Sequence, residues 1–216
     1  MTERFAIDTT TDLSQPAAWY TKHNIVAVGR YLSKSSWKRI DRSEAENILS
    51  MGLDIFTVYQ DAQNQPADFN ATLGTENAQL ARQQAATLVG QPPHTAIYFA
   101  VDYDASEDDY VNRIRPYFQA VNKALAEKDA LPVYRPGVYG SGLICQNLLD
   151  DQLVAFAWLS ESTGYRDHQQ FYESYNWNLA QFRPQGTNSF DGNRINPYKP
   201  DFGGFGHLVP VVQTAA

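Results

Sequence analysis

The chain has almost no cysteine, an excess of negative over positive charge, and no long apolar run. Cys145 is the only cysteine, so an internal disulfide is excluded. With 17 Lys and Arg against 24 Asp and Glu, the net charge of -7 argues against nucleic acid and anionic membranes as partners. No apolar run approaches the ~20 residues of a membrane-spanning helix, so we expect no membrane insertion. The amino terminus MTERFAID shows no signal peptide, since it lacks a basic region followed by an apolar segment.

Aromatic side chains, in contrast, are abundant. They make up 13% of the chain and include 13 Tyr. Tyr and Trp combine an apolar face with a polar edge, which suits sugar recognition. The 216 residues, 43% of them hydrophobic, are enough for one domain with a substantial core. We therefore expect a single domain over residues 1–216, and we expect it to be a monomer.

Strand and helix patterns alternate along the chain. An eighth strand is poorly marked, near Phe190 or Leu208. Six or seven βα units are too many for a small doubly wound sheet, so we predict an α/β fold of the (β/α)8 TIM-like barrel type. The clearly marked strands are Phe5–Asp8, Ile25–Leu32, Leu53–Gln60, Ile97–Asp102, Gly137–Gly140, Val154–Leu159 and Trp177–Phe182.

Local signals place several of the helices between these strands. A capping box at Ser43 predicts the start of one helix, and an Ala- and Gln-rich run predicts another over residues 77–89. Ser106 is predicted to cap a long amphipathic helix, in which Pro116 predicts a kink or a later start.

Carboxylates follow two of the apolar strands. Phe5–Asp8 ends in Asp8, and Ile97–Asp102 ends in Asp102, with Asp104 two residues later. Parallel α/β folds place their chemistry at the carboxyl ends of the strands. Glycoside hydrolysis needs one protonated carboxyl and one carboxylate, and like charges packed together raise one pKa. The pattern therefore indicates acid/base chemistry, although Asp104 also fits a loop position that caps the following helix.

The order of these segments resembles a known family. The segments are FAID, GRYL, GLDIFTVYQ, IYFAVDYD, PGVYGSG, AFAWLSES and NWNLAQF. They resemble the glycoside-hydrolase-like domain family DUF1906, which is related to the family 25 lysozymes that cleave the glycan strands of peptidoglycan. The resemblance covers nearly the whole chain, and it implies a barrel with an active site at the carboxyl ends of the strands.

The resemblance also implies roles for four aspartates. In the related lysozymes the acids come from the first strand, from a D-x-E pair on the fourth strand, and from an aspartate near the eighth. Asp8 matches the first acid, Asp102 matches the first member of the pair, and Asp191 resembles the last. Asp104 stands where the glutamate would be, and its side chain is one methylene shorter. The four residues are the candidate catalytic groups.

Other polar and aromatic side chains stand at or near predicted strand ends, where they would ring the barrel mouth. Rings for stacking and amides for hydroxyl groups suit a sugar substrate. An arginine within an apolar strand needs a partner, so Arg30 is either a substrate ligand or one half of a structural ion pair. The candidate substrate-binding residues are Arg30, Tyr59, Gln60, Tyr139, Trp158 and Gln181.

Other site chemistries find less support. The four histidines are scattered without zinc-binding spacing, and no glycine-rich phosphate loop follows a strand, so we expect no metal and no cofactor. The leading interpretation is a glycosidase acting on cell-wall polysaccharide such as peptidoglycan, at the cell wall or outside the cell. One alternative is a barrel that binds glycan without cleaving it. Another is a hydrolase of a different class on the same barrel.

Overall fold

The computed structural model describes residues 3–184 and 189–213, and within them eight strands close into a barrel in chain order. The predicted single-domain α/β barrel is thereby confirmed. The strands are β1 (Phe5–Asp8), β2 (Ile25–Leu32), β3 (Asp54–Tyr59), β4 (Ala96–Ala100), β5 (Arg135–Gly140), β6 (Phe156–Leu159), β7 (Leu179–Phe182) and β8 (Asp191–Ile195).

Helices surround the barrel between successive strands. A 3₁₀ turn spans Pro66–Asp68, a π-helical turn at Ala85–Val89 extends the third helix, and another at Tyr110–Ile114 joins the fourth to the fifth. None of the helices in the described part of the chain is long and apolar enough to cross a membrane. The helices are α1 (Ala17–Lys22), α2 (Arg42–Ser50), α3 (Ala71–Gln84), α4 (Glu107–Asp109), α5 (Arg115–Leu125), α6 (Gly142–Asp150) and α7 (His168–Ser174).

The last strand corrects the expectation of an all-parallel barrel. Strands β1 to β7 pair in parallel, whereas β8 is antiparallel to both β7 and β1. The stretch between Phe182 and Asp191 is shorter than the dozen or more residues that a parallel crossover needs, so the chain must return in the opposite direction. The first residue of β8 consequently lies at the end of the barrel where the parallel strands finish, with Asp191 paired to Asp8.

Two helix starts differ from their predictions. The side chain of Asp41, rather than Ser43, caps α2 by accepting a hydrogen bond from the Glu44 N–H. Helix α3 begins well before its predicted start because Asn70 caps it. Ser106 forms the predicted cap, a reciprocal capping box with Asp109.

Side chains alternate between two cores along each strand. On β4, Ala96, Tyr98 and Ala100 fill the barrel interior, while Ile97 and Phe99 pack outward against the helices. This is the two-residue period of a strand that is buried on both faces. The same alternation decides which strand-end side chains reach the mouth of the barrel.

Arg82 joins α3 to the loop that precedes β5. Its side chain is 1% exposed and donates hydrogen bonds to the carbonyl oxygens of Glu127, Leu131 and Pro132 and to the carboxylate of Asp129. One guanidinium thus satisfies several backbone acceptors that have no secondary-structure partner. A buried arginine in this role stabilises the loop much more than an exposed ion pair would.

We expect Arg82→Ala to lower the free energy of unfolding by about 3 kcal/mol, because it removes a buried guanidinium and leaves three part-buried carbonyl oxygens without their donor. The matched control is Arg115→Ala, which removes an ion pair with Asp151 whose arginine is 46% exposed. That change should cost less than about 1 kcal/mol. Urea denaturation measures both values, and equal losses in the two variants would contradict the role given to Arg82.

Candidate active site

A polar cleft of about 240 Å³ lies at the mouth of the barrel, at the carboxyl ends of the parallel strands. Three of its side chains are acidic, and several others are aromatic. Its lining residues are Tyr31, Val58, Gln60, Asp102, Tyr139, Trp158, Glu161, Ser162, Gln181 and Asp191.

Asp8 lies beneath this cleft and is the centre of a hydrogen-bond network. Its side chain is nearly buried, with 3% of the residue exposed. Its Oδ2 accepts hydrogen bonds from the side-chain amides of Asn193 (2.8 Å) and Gln181 (3.1 Å). Each amide oxygen accepts in turn from an aromatic side chain. The Trp158 indole N–H donates to Asn193 at 2.6 Å, and the Tyr139 hydroxyl donates to Gln181 at 2.9 Å.

Burial changes the acidity of Asp8. It raises the pKa of this carboxyl from 3.8 to about 7, and the nearby charge of Asp191 acts in the same direction. The hydrogen bonds from Asn193, Gln181 and Tyr31 oppose the rise without cancelling it. A substantial share of Asp8 therefore holds a proton near neutral pH.

Asp191 and Glu161 form an acidic pair on one side of the cleft. Burial raises the pKa of Asp191, and the charge of Glu161 adds to the rise. Glu161 is held by Arg183, whose guanidinium nitrogen lies 2.7 Å from Oε1. The pair illustrates how neighbouring carboxyls favour the protonated form of one member.

Asp102 lies on the β4 side of the cleft. In the eight-stranded barrel β4 is opposite β8, so Asp102 and Asp191 approach the cleft from opposite walls. Its Oδ2 accepts a hydrogen bond from Gln60 Nε2 at 3.1 Å, and its backbone N–H donates to Gln63 O at 2.8 Å. These bonds hold the carboxylate toward the cleft just beyond the end of the strand.

Asp104, in contrast, lies outside the cleft. Its Oδ2 is 2.6 Å from a guanidinium nitrogen of Arg166, and its Oδ1 accepts from the Arg166 backbone N–H at 2.8 Å. The side chain is 38% exposed. Strand β4 ends at Ala100, so the strand alternation that would have aimed Asp102 and Asp104 at one site does not extend to Asp104.

Two candidate binding residues also lie away from the cleft. Arg30 points outward from β2, where it forms a buried ion pair with Glu44 of α2 and donates to Thr9 O. Arg30 is therefore one half of a structural ion pair, the second of the two roles predicted for it. The predicted partner was an acid of the barrel, whereas Glu44 lies on a helix. Tyr59 points outward from β3, and its hydroxyl donates to Asp61 at 2.6 Å. Both side chains lie on the outward face of their strands, and the prediction from the sequence did not take this alternation into account.

The other four candidate binding residues, Gln60, Tyr139, Trp158 and Gln181, line the cleft. Sequence reasoning missed Tyr31 and Glu161, which also line the cleft, and Asn193, which is buried and donates to Asp8. Tyr31 has the same inward register as Ala27 and Gly29, and Glu161 is an acid just after a strand, so both carried a readable signal. Asn193 had none, because β8 was only poorly marked in the sequence, near Phe190 or Leu208.

Among the residues that the structure describes, no cluster of three or more His, Cys, Asp or Glu side chains is arranged to hold a metal ion.

Comparison with known proteins gives consistent sequence matches. The profile of the family described as "Rv2525c-like, glycoside hydrolase-like domain" matches residues 17–199. The chain is 32% identical to "Uncharacterized protein YbfG" of Bacillus subtilis over 82% of its length, but this covers only 26% of that protein. It is 27% identical to "Putative peptidoglycan hydrolase Rv2525c" of Mycobacterium tuberculosis, over 66% of this chain and 60% of that one. The chain thus spans about a quarter of the Bacillus relative.

Two solved structures share the fold. The Tat-secreted protein Rv2525c of M. tuberculosis, in complex with L-tartrate, superposes with a TM-score of 0.74 at 23% identity, over 94% of this chain and 99% of that one. The CTP1L endolysin superposes with a TM-score of 0.54 at 10% identity, over 91% of this chain and 67% of that one.

The structural likeness supports the barrel, and the sequence match covers most of the chain. The sequence match confirms the expected resemblance to a glycoside-hydrolase-like family. On this evidence the chain belongs to the Rv2525c-like, glycoside hydrolase-like domain family.

Proposed function

We propose that this chain is a glycoside hydrolase that acts on cell-wall polysaccharide, with peptidoglycan as its substrate. The observation that carries the proposal is the meeting of Asp8, Asp102 and Asp191 at one end of the barrel, in and beneath a cleft with aromatic and amide walls. Two of these acids have raised pKa values. Glycoside hydrolysis requires a carboxyl that holds its proton together with one that does not.

Asp191 is the proposed proton donor. It faces the cleft, and burial together with Glu161 raises its pKa. Asp102, on the opposite wall, is the proposed carboxylate that stabilises the positive charge developing on the sugar ring, and Gln60 orients it. A sugar between the two walls would have the proton donor on one side. On the other it would have a carboxylate that can either attack the anomeric carbon or take the proton of the water that attacks it, as the retaining and the inverting route respectively require.

Asp8 is proposed to support this pair from below. Its pKa of about 7 lets it exchange a proton near neutral pH, and its charge raises the pKa of the Tyr31 and Tyr139 hydroxyls. Gln181 donates to Asp8 and also lines the cleft, so it links the buried carboxyl to the substrate space.

The remaining cleft residues are proposed to bind the sugar. Tyr31 and Tyr139 offer ring surfaces, Gln60 and Gln181 offer amide groups to hydroxyls, and Trp158, only 1% exposed, lies at the floor of the cleft. At about 240 Å³ the cleft is slightly smaller than the ~300–1,000 Å³ of usual ligand sites, so it can enclose only a small part of a polymer. The rest of the polysaccharide must lie on the protein surface outside the cleft.

The substrate class and site of action follow from the relatives. One relative bears the name of a peptidoglycan hydrolase, and its structure is described as that of a Tat-secreted protein. We extend both properties to this chain: a polysaccharide partner and action at the cell wall or outside the cell. A monomer is sufficient for the proposed site, since all of its residues come from one chain.

A second candidate function is a barrel that binds glycan without cleaving it. The observation that favours it is the ion pair between Asp104 and Arg166, because the position expected to supply the second acid of β4 offers none to the cleft. The catalytic proposal assigns the proton-donor role to Asp191 instead of Asp104. Activity measurements on variants of these two residues therefore separate catalysis from binding alone.

We expect Asp102→Asn and Asp191→Asn each to lower the rate of peptidoglycan cleavage by about 10²–10⁴-fold, since each removes one acid/base or charge-stabilising group. The matched control is Asp104→Asn, the same chemical change at a carboxyl outside the cleft, which should leave the rate nearly unchanged. Turbidity and new reducing ends on purified peptidoglycan provide the measurement.

Three results would decide against this assignment. Loss of activity in Asp104→Asn with full activity in Asp191→Asn would return the proton-donor role to Asp104. Full activity in Asp102→Asn would move the chemistry to other residues. Binding of peptidoglycan by the wild type with no cleavage at any pH between 4 and 8 would favour the binding function.

The raised pKa of Asp8 predicts a pH dependence of stability. The folded state keeps a proton on Asp8 up to a pKa of about 7, whereas the unfolded chain loses it near 3.8. The free energy of unfolding should therefore fall as pH rises from about 4 to about 7, by up to about 4 kcal/mol from this group. In Asp8→Asn this contribution is absent, because the amide does not titrate.

The measurement is urea denaturation of both proteins at several pH values, and the difference between the two curves isolates Asp8. The free energy of unfolding of the wild type, relative to that of Asp8→Asn, should fall steadily from pH 4 to pH 7 and level off only above the folded-state pKa. Parallel curves for the two proteins over this range would show that Asp8 is not the titrating group.

A further inference from the structure

A second aromatic site lies at the end of the barrel opposite the cleft. We call it the Tyr175 cluster, and it consists of Tyr172, Tyr175, Trp177 and Tyr198. Tyr175 follows α7, Trp177 precedes β7, and Tyr198 follows β8, whose first residue is at the cleft and whose last is therefore at the far end. The cluster borders a groove of about 610 Å³.

Two rings of the cluster are exposed. Tyr175 is 44% exposed and Tyr198 is 73% exposed, and their rings meet edge to face at 5.3 Å and 89°. The two rings thus form a right-angled corner that is open to solvent. Behind it the rings of Tyr172 and Trp177 stack at 5.6 Å and 9°, and Trp177 is 2% exposed.

The backbone at Tyr175 is in the left-handed region, with φ at 54°. This position ends α7, where glycine is the usual residue because it adopts positive φ without a steric penalty. A bulky aromatic residue here is strained, and such strain is found mainly where the side chain has a task. The Tyr175 ring stacks on Trp177, with ring centroids 5.8 Å apart and planes at 28°, while 44% of the residue remains exposed to solvent.

Asn196 fixes the geometry of the corner from within. It is fully buried, and its Nδ2 donates to the carbonyl oxygens of Tyr175 (2.9 Å) and Trp177 (2.6 Å). Its Oδ1 accepts from the backbone N–H of Tyr198 at 2.9 Å. One buried amide therefore ties together the segments that carry the exposed rings, so the corner is preformed and its ordering cost on binding is small.

Charged groups line one part of the groove, and Ile195, Pro197 and Pro200 line another. Arg194 lies 3.3 Å from Glu3 and within 3.5 Å of the Tyr172 hydroxyl, and Arg4 is on the same wall. Guanidinium and carboxylate groups can bond the equatorial hydroxyls of a sugar while its apolar face lies on a ring. A flat apolar protein partner would leave these charges desolvated without partners.

We propose that the Tyr175 cluster is a second glycan-binding site, which holds a segment of the polysaccharide remote from the segment in the cleft. The choice of ligand rests on the proposed function, because it takes the same class of polymer. The small cleft also gives a reason for the site, since most of a bound polymer must find its contacts elsewhere.

The test uses the full chain carrying Asp102→Asn, so that cleavage does not release the protein from its ligand. Into this background we introduce Tyr175→Gly together with Tyr198→Ala. Glycine suits the positive φ at position 175, so the ring is removed without disturbing the backbone. The matched control is Val111→Ala, which trims a side chain that is 54% exposed on the π-helical turn before α5.

The readout is co-sedimentation with insoluble purified peptidoglycan, chitin and cellulose, alongside the melting temperature of each variant. We expect the double variant to bind about five- to tenfold more weakly than its parent, the scale of losing aromatic contacts, with an equal or higher melting temperature. The Val111→Ala control should bind like the parent. When the same two substitutions are made in protein that retains Asp102, the rate of cleavage should be unchanged on short soluble fragments and reduced on insoluble peptidoglycan.

Binding of these polysaccharides by the parent that is unchanged in the double variant would overturn the proposal, as would the absence of binding to all three. Self-association that the double variant abolishes, with polysaccharide binding unchanged, would assign the corner to a contact between copies of the chain. The hydrolase proposal fails separately, when wild-type protein produces no reducing ends. Binding that depends on Tyr175 and Tyr198 would support the second site even then.

Discussion

The carboxyl group of Asp8 is the constraint on which the mouth of the barrel depends. A buried acid requires hydrogen-bond partners, and two side-chain amides, Asn193 and Gln181, supply them to a single oxygen. Each amide can donate to Asp8 only if its own oxygen points away from Asp8. There the Asn193 oxygen accepts a hydrogen bond from Trp158, and the Gln181 oxygen accepts one from Tyr139. The orientation of both amides is thereby fixed, and side chains from five strands form one network. The walls of the cleft are positioned by the same bonds that satisfy the buried acid.

The direction of β8 has the second largest influence on the site. In a parallel strand the first residue would lie at the far end of the barrel, and Asp191 would be remote from Asp8. Because the connection after Phe182 is short, β8 runs antiparallel, and its first residue lies at the mouth. Asn193, two residues later and paired with Ala6, then faces the interior within hydrogen-bond distance of the Asp8 carboxyl. A short connection between two strands is therefore a precondition for both the acid pair and the Asp8 network.

Much of the fold could be predicted from the sequence, because strand and helix periodicities and capping residues are local signals. The clearly marked strands were found within a few residues of their bounds. The orientation of β8 could not be predicted, because the strand was poorly marked and the length of its connection to β7 was therefore unknown. Three candidate residues lie away from the cleft because they were chosen for their nearness to a strand end, without regard to the alternation of inward and outward side chains. Arg30 and Tyr59 have the outward register of their strands, and Asp104 lies beyond the point where the alternation of β4 stops.

Two of the positions that depart from local preference lie at opposite ends of the barrel. Asp8 is a buried carboxyl with a raised pKa, and Tyr175 is an aromatic residue in a conformation that favours glycine. Natural sequences keep such conflicts mainly where function requires them. In both places one or two buried amides hold the unfavourable group: Asn193 and Gln181 at Asp8, and Asn196 behind Tyr175. The two networks share no residue, so each end of the barrel can be altered without disturbing the other. A polymer that contacts both ends would be retained at one while it is processed at the other.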